Sequence, residues 1–391
     1  MKAPGHILPV VVLAQFCCTS LWFAGNGIMT DLIGHFNLEP TALGHLTAAV
    51  QLGFIGGTLL FALFTVADRF SPSRVFFASA LLGALCNLGI FLEGNTLYTL
   101  VLFRFLTGLF LAGIYPVGMK IAADYYGKDL GRSLGFLVGA LVLGTAFPHL
   151  LRGYMTTVPW TLVLWVTSGL AFAGGILMLL LVPDGPLRRR STVLDLSASL
   201  KVFREPGFRA AAFGYFGHMW ELYAFWAFIP FILSTYAGPS AGFVPHASAW
   251  AFAIIGIGGP ACVLSGYLSG PFGTRRIAAL ALGLSCACCL LSPLLLLTAP
   301  PVLFFVFLLF WGMVVIGDSP LFSTMVARNA LPETKGTALT IVNCLGFSIT
   351  IFSIQLLNFL REIMNPHYIY IFLAPGPLLG LWALYREKDQ A

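Results

Sequence analysis

The sequence predicts an all-α integral membrane protein of twelve transmembrane helices, arranged as two pseudo-symmetric halves of six. Three observations predict it. Of 391 residues, 58% are hydrophobic and 9% charged, against roughly a quarter charged in an ordinary soluble domain, which excludes a water-soluble fold. The apolar residues come in blocks of about 18 to 27, each long enough to cross a hydrocarbon core of about 30 Å at about 1.5 Å per residue. The basic residues, finally, sort by side once alternate crossings are assigned.

Reading apolar blocks against turn and charge signals places helices over 9–30, 43–66, 75–92, 97–119, 133–151 and 160–182, then over 208–234, 249–269, 277–298, 301–325, 337–359 and 368–385. The opening MKAPGHILPVVVLAQFCCTSLWFAGNGIM has one lysine and no A-x-A cleavage site, so it reads as a retained first helix rather than a signal peptide. The long polar stretch VPDGPLRRRSTVLDLSASLKVFREPG reads as a linker. It divides the chain into halves over 1–183 and 207–391, with 184–206 between them.

With the N-terminus inside, eighteen of the 21 Lys and Arg fall on the cytoplasmic side, including Arg188, Arg189 and Arg190 of the linker. Arg152 and Arg361 fall outside, and Arg104 lies within a helix. One misassigned helix would scramble that division, so both termini are expected in the cytoplasm of a cell in whose inner membrane the chain sits. The net charge of +6 follows from this topology and an anionic inner leaflet, and needs no nucleic-acid partner. The eight cysteines all lie in apolar blocks without ligand spacing, so neither a metal nor a disulfide is expected.

An internal repeat supports the two halves. Gly56, Gly57, Phe70 and Arg74 recur at an offset of about 202 as Gly258, Gly259, Phe272 and Arg276, and Gly113-x-x-Pro116 returns at about 204 as Gly317-x-x-Pro320. Parallel repeats of this kind are a known transporter architecture.

The loop FTVADRFSPSR is similar to the G-x-x-x-D-R-x-G-R-R signature of the major facilitator superfamily: Asp68, Arg69 and Arg74 fit, while Phe64 and Ser71 stand where glycines are usual. GYLSGPFGTRR in the second half keeps Gly266, Gly273, Arg275 and Arg276 but has Gly270 in place of the acid. RFLTGLFLAG resembles the family's R-x-x-x-G fourth helix through Arg104 and Gly108, and GFLVGALVLGTAFP its glycine-rich fifth. TSLWFAGNG and GYFGHMWELYAFWAFIP are similar to strings in bacterial members loosely grouped with cyanate and nitrate permeases. The resemblance implies a transporter in which helices 1, 4 and 7 line a cavity. It also implies that Asp68, Arg69 and Arg74 act as a cytoplasmic gate.

Ionisable side chains inside a membrane cost at least about 2.5 kcal/mol on insertion scales, and they normally face a cavity or a partner. Arg104, Glu221, His218, Asp318 and Asp31 are the candidates for substrate or proton coupling. Arg104 and Asp31 lie at comparable depth on helices 1 and 4, where an ion pair is feasible. Glu221 and His218 are three apart and share a helical face, and a buried carboxylate beside an imidazole suits reversible proton carriage. The alternative for Glu221 is a packing hydrogen bond to His218 or to a neighbouring helix. Asp318 stands in GDSP, where it serves either the transported ion or the broken turn. Trp22 and Asn26 are four apart on one face, and Trp22 and Trp220 hold matching places in the two halves. Lys120, Asp124, Lys128, Asp129 and Arg132 read as solvated loop.

The function expected is secondary active transport of a small solute by alternating access, with protons as the coupling ion. A uniporter or exchanger of a small organic anion is the alternative, and a membrane-embedded lipid enzyme a weaker one. No Walker A spacing supports an ATP-driven pump, and neither H-E-x-x-H nor G-x-S-x-G supports an enzyme. The partners expected are solute, protons and lipid, with no cofactor, and the chain is expected to act as a monomer.

Overall fold

The computed structural model describes residues 4–126, 130–154, 159–188, 202–237, 246–330 and 335–386, except for the side chains at 68, 130, 154 and 335–337. Every regular element among them is helical. The chain divides into two compact units, Met1–Leu194 and Asp195–Ala391.

The first unit contains α1 in three pieces, Ile7–Thr19, Ala24–Gly27 and Met29–Phe36, then α2 (Ala42–Leu63), α3 (Pro72–Phe91), α4 (Leu97–Tyr125), α5 (Leu130–Tyr154) and α6 (Thr161–Leu181). The second contains α7 (Pro206–Ala237), α8 (Ala247–Phe272), α9 (Thr274–Thr298), α10 (Pro301–Asn329), α11 (Lys335–Ile363) and α12 (Ile369–Arg386). Ten helices among the described residues are long and apolar enough to cross a membrane. The other two segments are α1, which is broken, and α7, which is 32 residues long and carries the unit's buried glutamate.

The break in α1 departs from the continuous helix expected over 9–30, and hydroxyl chemistry explains it. Thr19 Oγ1 donates to the Gln15 carbonyl at 2.8 Å and Ser20 Oγ to the Cys17 carbonyl at 2.7 Å, a competition with the backbone ladder that bends helices. The next two amides take tighter turns, Leu21 N–H to Cys18 and Trp22 N–H to Thr19. The carbonyls of Leu21 and Trp22 are thereby left to a side chain from α4.

Proline breaks two further helices at matching places. Pro116 and Pro320 each lack the N–H that would bond four residues back, and their rings crowd that carbonyl. Accordingly α4 is interrupted between Leu111 and Tyr115, and α10 at Asp318. The freed Ile316 carbonyl accepts the Cys262 thiol of α8 at 3.4 Å.

The expected repeat returns as a packing contact. A Cβ added to Gly108 of α4 would stand 2.0 Å from the Val50 carbonyl of α2, and one on Gly312 of α10 would stand 1.9 Å from the Ile254 carbonyl of α8. Both members of the contact are displaced by the same 204 residues. Only glycine lets two helix backbones approach so closely, and small residues are the usual means of helix contact where lipid supplies no hydrophobic drive.

Two expectations change at the end of α4. The helix runs on to Tyr125, so Lys120 and Asp124 are helical, 3.8 Å apart at i,i+4 spacing, rather than solvated loop. Asp124 is buried, and its carbonyl accepts the Leu187 N–H beyond α6. Lys128 and Asp129 lie outside the described residues, as do Arg189 and Arg190 of the linker.

Candidate functional site

In the second unit α7 and α10 run antiparallel and meet through two polar bridges. His218 Nδ1 lies 2.8 Å from Asp318 Oδ1. One turn further along α7, Glu221 Oε1 accepts the indole N–H of Trp311 at 2.6 Å, and its other oxygen accepts the Ser285 hydroxyl from α9. All three ionisable side chains are about 1% exposed. Glu221 and His218 do share a face of α7, but they do not bond each other. Positions three apart meet α10 at different levels, so each finds its own partner.

Aromatic packing fixes the Glu221 donor. Trp311 stacks on Phe225 with ring centroids 4.4 Å apart, and Phe307 and Tyr370 contact it at 5.5 and 6.5 Å. The indole therefore has little freedom to follow the carboxylate. His218 lies between the rings of Tyr215 and Phe322. None of the four side-chain polar atoms of the His218–Asp318 pair makes a hydrogen bond of good geometry among the described residues, so the pair is a close approach at 2.8 Å that keeps its donors and acceptors open.

In the first unit Arg104 is a fully buried charge on α4, 1% exposed. Its Nη1 donates to the Leu21 carbonyl at 3.1 Å and its Nη2 to the Trp22 carbonyl, the two oxygens released by the break in α1. Gly25 makes room for it, since a Cβ there would come within 3.3 Å of Arg104 Nε. The Arg104–Asp31 pair expected from sequence does not form. Asp31, on the last piece of α1, is held by both Nε and Nη2 of Arg152 from α5 at 2.9 and 2.8 Å. The broken helix puts backbone oxygens within reach of Arg104 and leaves Asp31 to the basic residue at the end of α5.

Asn26 donates to Thr47 Oγ1 of α2 at 2.8 Å. Trp22 is fully buried against Phe54, ring centroids 4.8 Å apart; a turn at 20–23 lies between Trp22 and the helical piece that carries Asn26, and both side chains meet α2. Trp220 has a different setting from Trp22: it is half-buried, with its indole on the Phe372 carbonyl at 3.0 Å.

At the ends of α3 and α6 an open cleft of about 470 Å³ is lined by Arg69, Ser71, Arg74, Asp184 and Arg188, among others. Asp184 accepts from Ser71 Oγ at 2.7 Å and pairs with Arg188, which also donates to the Phe70 carbonyl at 2.8 Å. Asp68 occupies the short helix Val66–Arg69, and its side chain lies outside the described residues. Asp184 and Arg188, both within the stretch that the sequence marks as linker, line this cleft. Ser285, Trp311, Gln51 and His149 are not among the candidates that the sequence singles out, although a polar residue inside an apolar block is a visible signal for the last two.

A family model described as Major Facilitator Superfamily matches residues 11–354. A niacin transporter of Acinetobacter baylyi is 32% identical over 162 residues, which cover 35% of this chain and 36% of that protein, so the match spans about a third of the relative's length. Among solved structures, the human organic anion transporter MFSD10 superposes with a TM-score of 0.78 at 14% identity, covering 98% of this chain and 100% of that one. The proton:xylose symporter XylE gives 0.75 at 15%, covering 97% and 94%. The fucose:proton symporter of E. coli gives 0.68 at 15%, covering 98% and 100%. With the family model spanning most of the sequence and this fold beneath it, the chain belongs to the major facilitator superfamily and is a multi-pass membrane transporter.

Proposed function

We propose that the protein is a proton-coupled secondary transporter of a small solute, working by alternating access, with Glu221 as the proton carrier. One observation carries the proposal: Glu221 is buried in a membrane helix, and its carboxylate is held by neutral donors, an indole and a hydroxyl. A charge so placed is costly without a counter-ion, and a proton arriving and leaving is the least disruptive way to remove and restore it. The His218–Asp318 bridge, one turn away on the same helix, serves as the relay. The fold shared with the xylose and fucose symporters accommodates this kind of coupling.

The halves 1–183 and 207–391 act as the moving bodies, joined by 184–206, in a monomer. Arg104, Asn26 and Trp22 serve the solute, while Asp31, bound to Arg152, holds the end of α1. Asp68, Arg69 and Arg74 form a cytoplasmic gate in an inner membrane, with both termini inside. The stretch shared with a niacin transporter makes niacin the first solute to test.

Purified protein in proteoliposomes with an imposed pH gradient tests the coupling. Uptake should follow the gradient and stop when a protonophore collapses it; uptake indifferent to the protonophore leaves the uniporter reading. Orientation is tested separately by Ser191→Cys in intact cells. A thiol reagent that cannot cross the membrane should not label it, and labelling would invert the topology.

A further inference from the structure

The first unit holds more unsatisfied polarity than transport of a proton requires. Gln51 of α2 is fully buried, and neither its amide nitrogen nor its carbonyl oxygen has a partner among the described residues. The same holds for His149 Nε2 and Thr145 Oγ1 on α5, for Asn26 Oδ1, and for Arg104 Nε. A buried polar group left unpaired is among the least tolerated features of a folded protein, and in a membrane no bulk water offsets it.

These groups lie at one level. Asn26 meets Thr47, and Trp22 meets Phe54, which places Gln51 between those contacts on α2. Gly108, one turn beyond Arg104, abuts Val50, which fixes Arg104 near the same height. Pro148 abuts Gly27, which brings the neighbouring His149 to the level of Asn26. These contacts put a guanidinium, two carboxamides and an imidazole within about two helical turns of the break in α1.

The charge there is one-sided. Arg104 is satisfied in part by backbone carbonyls, which are neutral. The acids described in this unit's helices are committed elsewhere: Asp31 to Arg152, and Asp124 beside Lys120. A guanidinium that keeps its charge at all working pH values, with an unused N–H and neutral donors and acceptors beside it, matches an anion that carries a second polar group.

We propose that the first unit binds the transported solute, and that the solute is a small organic acid. Its carboxylate meets Arg104, and an uncharged hydroxyl or ring heteroatom meets Gln51 and His149. The inference rests on the transporter reading and deepens it by naming the solute class. It needs no proton gradient, so a failure of the coupling reading leaves it standing.

The test is thermal-shift and equilibrium binding on the purified full-length protein. The probes are benzoate and 4-hydroxybenzoate, propionate and lactate, the amides of all four, and tetraphenylphosphonium. The hydroxy acids should stabilise the protein more than their parent acids, and the amides and the cation should not stabilise it. Arg104→Gln should lower acid affinity by about tenfold or more and Gln51→Leu by several-fold, since a charge-assisted hydrogen bond corresponds to about tenfold or more and a neutral one to roughly two- to tenfold.

Gln51→Leu also separates binding from packing. If the carboxamide is held for the solute, the ligand-free variant melts at or above the wild-type temperature while its ligand-induced shift shrinks. If Gln51 is structural, the ligand-free variant melts lower and keeps its shift, which overturns the assignment. Stabilisation by the amides or the cation, or by none of the acids, overturns the solute class.

Discussion

The two halves of the chain share a backbone contact and differ in the chemistry of their cores. Gly108 against Val50 and Gly312 against Ile254 are the same approach of two helices, separated by 204 residues. At that offset Arg104 has Leu308 as its counterpart and Asp318 has Ile114, and at the 198 relating the two tryptophans Glu221 has Phe23 and His218 has Ser20. The first core is thus cationic and amide-rich, and the second is acidic. The comparison teaches that the interlock is the invariant of the repeat. A backbone oxygen about 2 Å from a would-be Cβ tolerates no side chain, whereas a side chain projecting into the core can change sign without disturbing the approach.

The largest expected effect tests the acidic half. Glu221→Gln keeps shape and hydrogen bonding to Trp311 and Ser285 while removing titration. Accumulation of solute in proteoliposomes under an imposed pH gradient should fall to background, and exchange across the membrane without a gradient should persist. Accumulation at the wild-type level would move the coupling site to Asp318.

Next in size is the interlock itself. Gly108→Ala and Gly312→Ala should each cost about 1–3 kcal/mol or more, the usual range for overpacking a filled contact. If the two halves are packed alike, the two variants lose comparable thermal stability in detergent. Should one tolerate alanine while the other unfolds, the contact is not the shared constraint that the offset suggests.

The elements were legible in sequence because long apolar blocks and basic residues are read by the bilayer before tertiary packing matters, and most predicted segments lie within a few residues of the observed helices. The partners were not legible. Arg104 could be read as a buried charge wanting an acid, but what it found was two carbonyls freed by hydroxyls at Thr19 and Ser20. That outcome depends on how a helix breaks, which a hydropathy pattern does not encode. His218 was likewise legible as a neighbour of Glu221, yet its partner came from a helix 100 residues away. Local spacing assigns faces of one helix; pairing across helices needs the packing.

The His218–Asp318 bridge should show itself as a moderate effect. His218→Ala and Asp318→Asn each leave a buried group without its partner, at about 1–3 kcal/mol. The double variant should be less destabilised than the sum, by about 0.5–3 kcal/mol. Additive losses would mean that the 2.8 Å approach contributes nothing to stability, and the relay role would lose its support.

The smallest expected effect in stability lies at the cleft between α3 and α6, where two acids can be set against each other. Asp184 is 39% exposed in its pair with Arg188, and exposed pairs are worth about 0–1 kcal/mol. Asp184→Asn should therefore leave the melting temperature unchanged within error, and should leave the inward- and outward-facing populations unchanged as well. Asp68→Asn should also melt normally, but as the proposed gate residue it should move that population toward the inward-facing form. A change of about 1 kcal/mol is enough to alter such a ratio about fivefold. Spin labels or fluorophores at the two ends of the bundle would read the shift, and a solute-binding isotherm on the same samples would show whether affinity follows. A population shift in both variants would place the latch on Asp184 and Ser71 rather than on Asp68. A loss of affinity in step with transport in Asp68→Asn would make Asp68 part of the binding site and remove the gate from the loop.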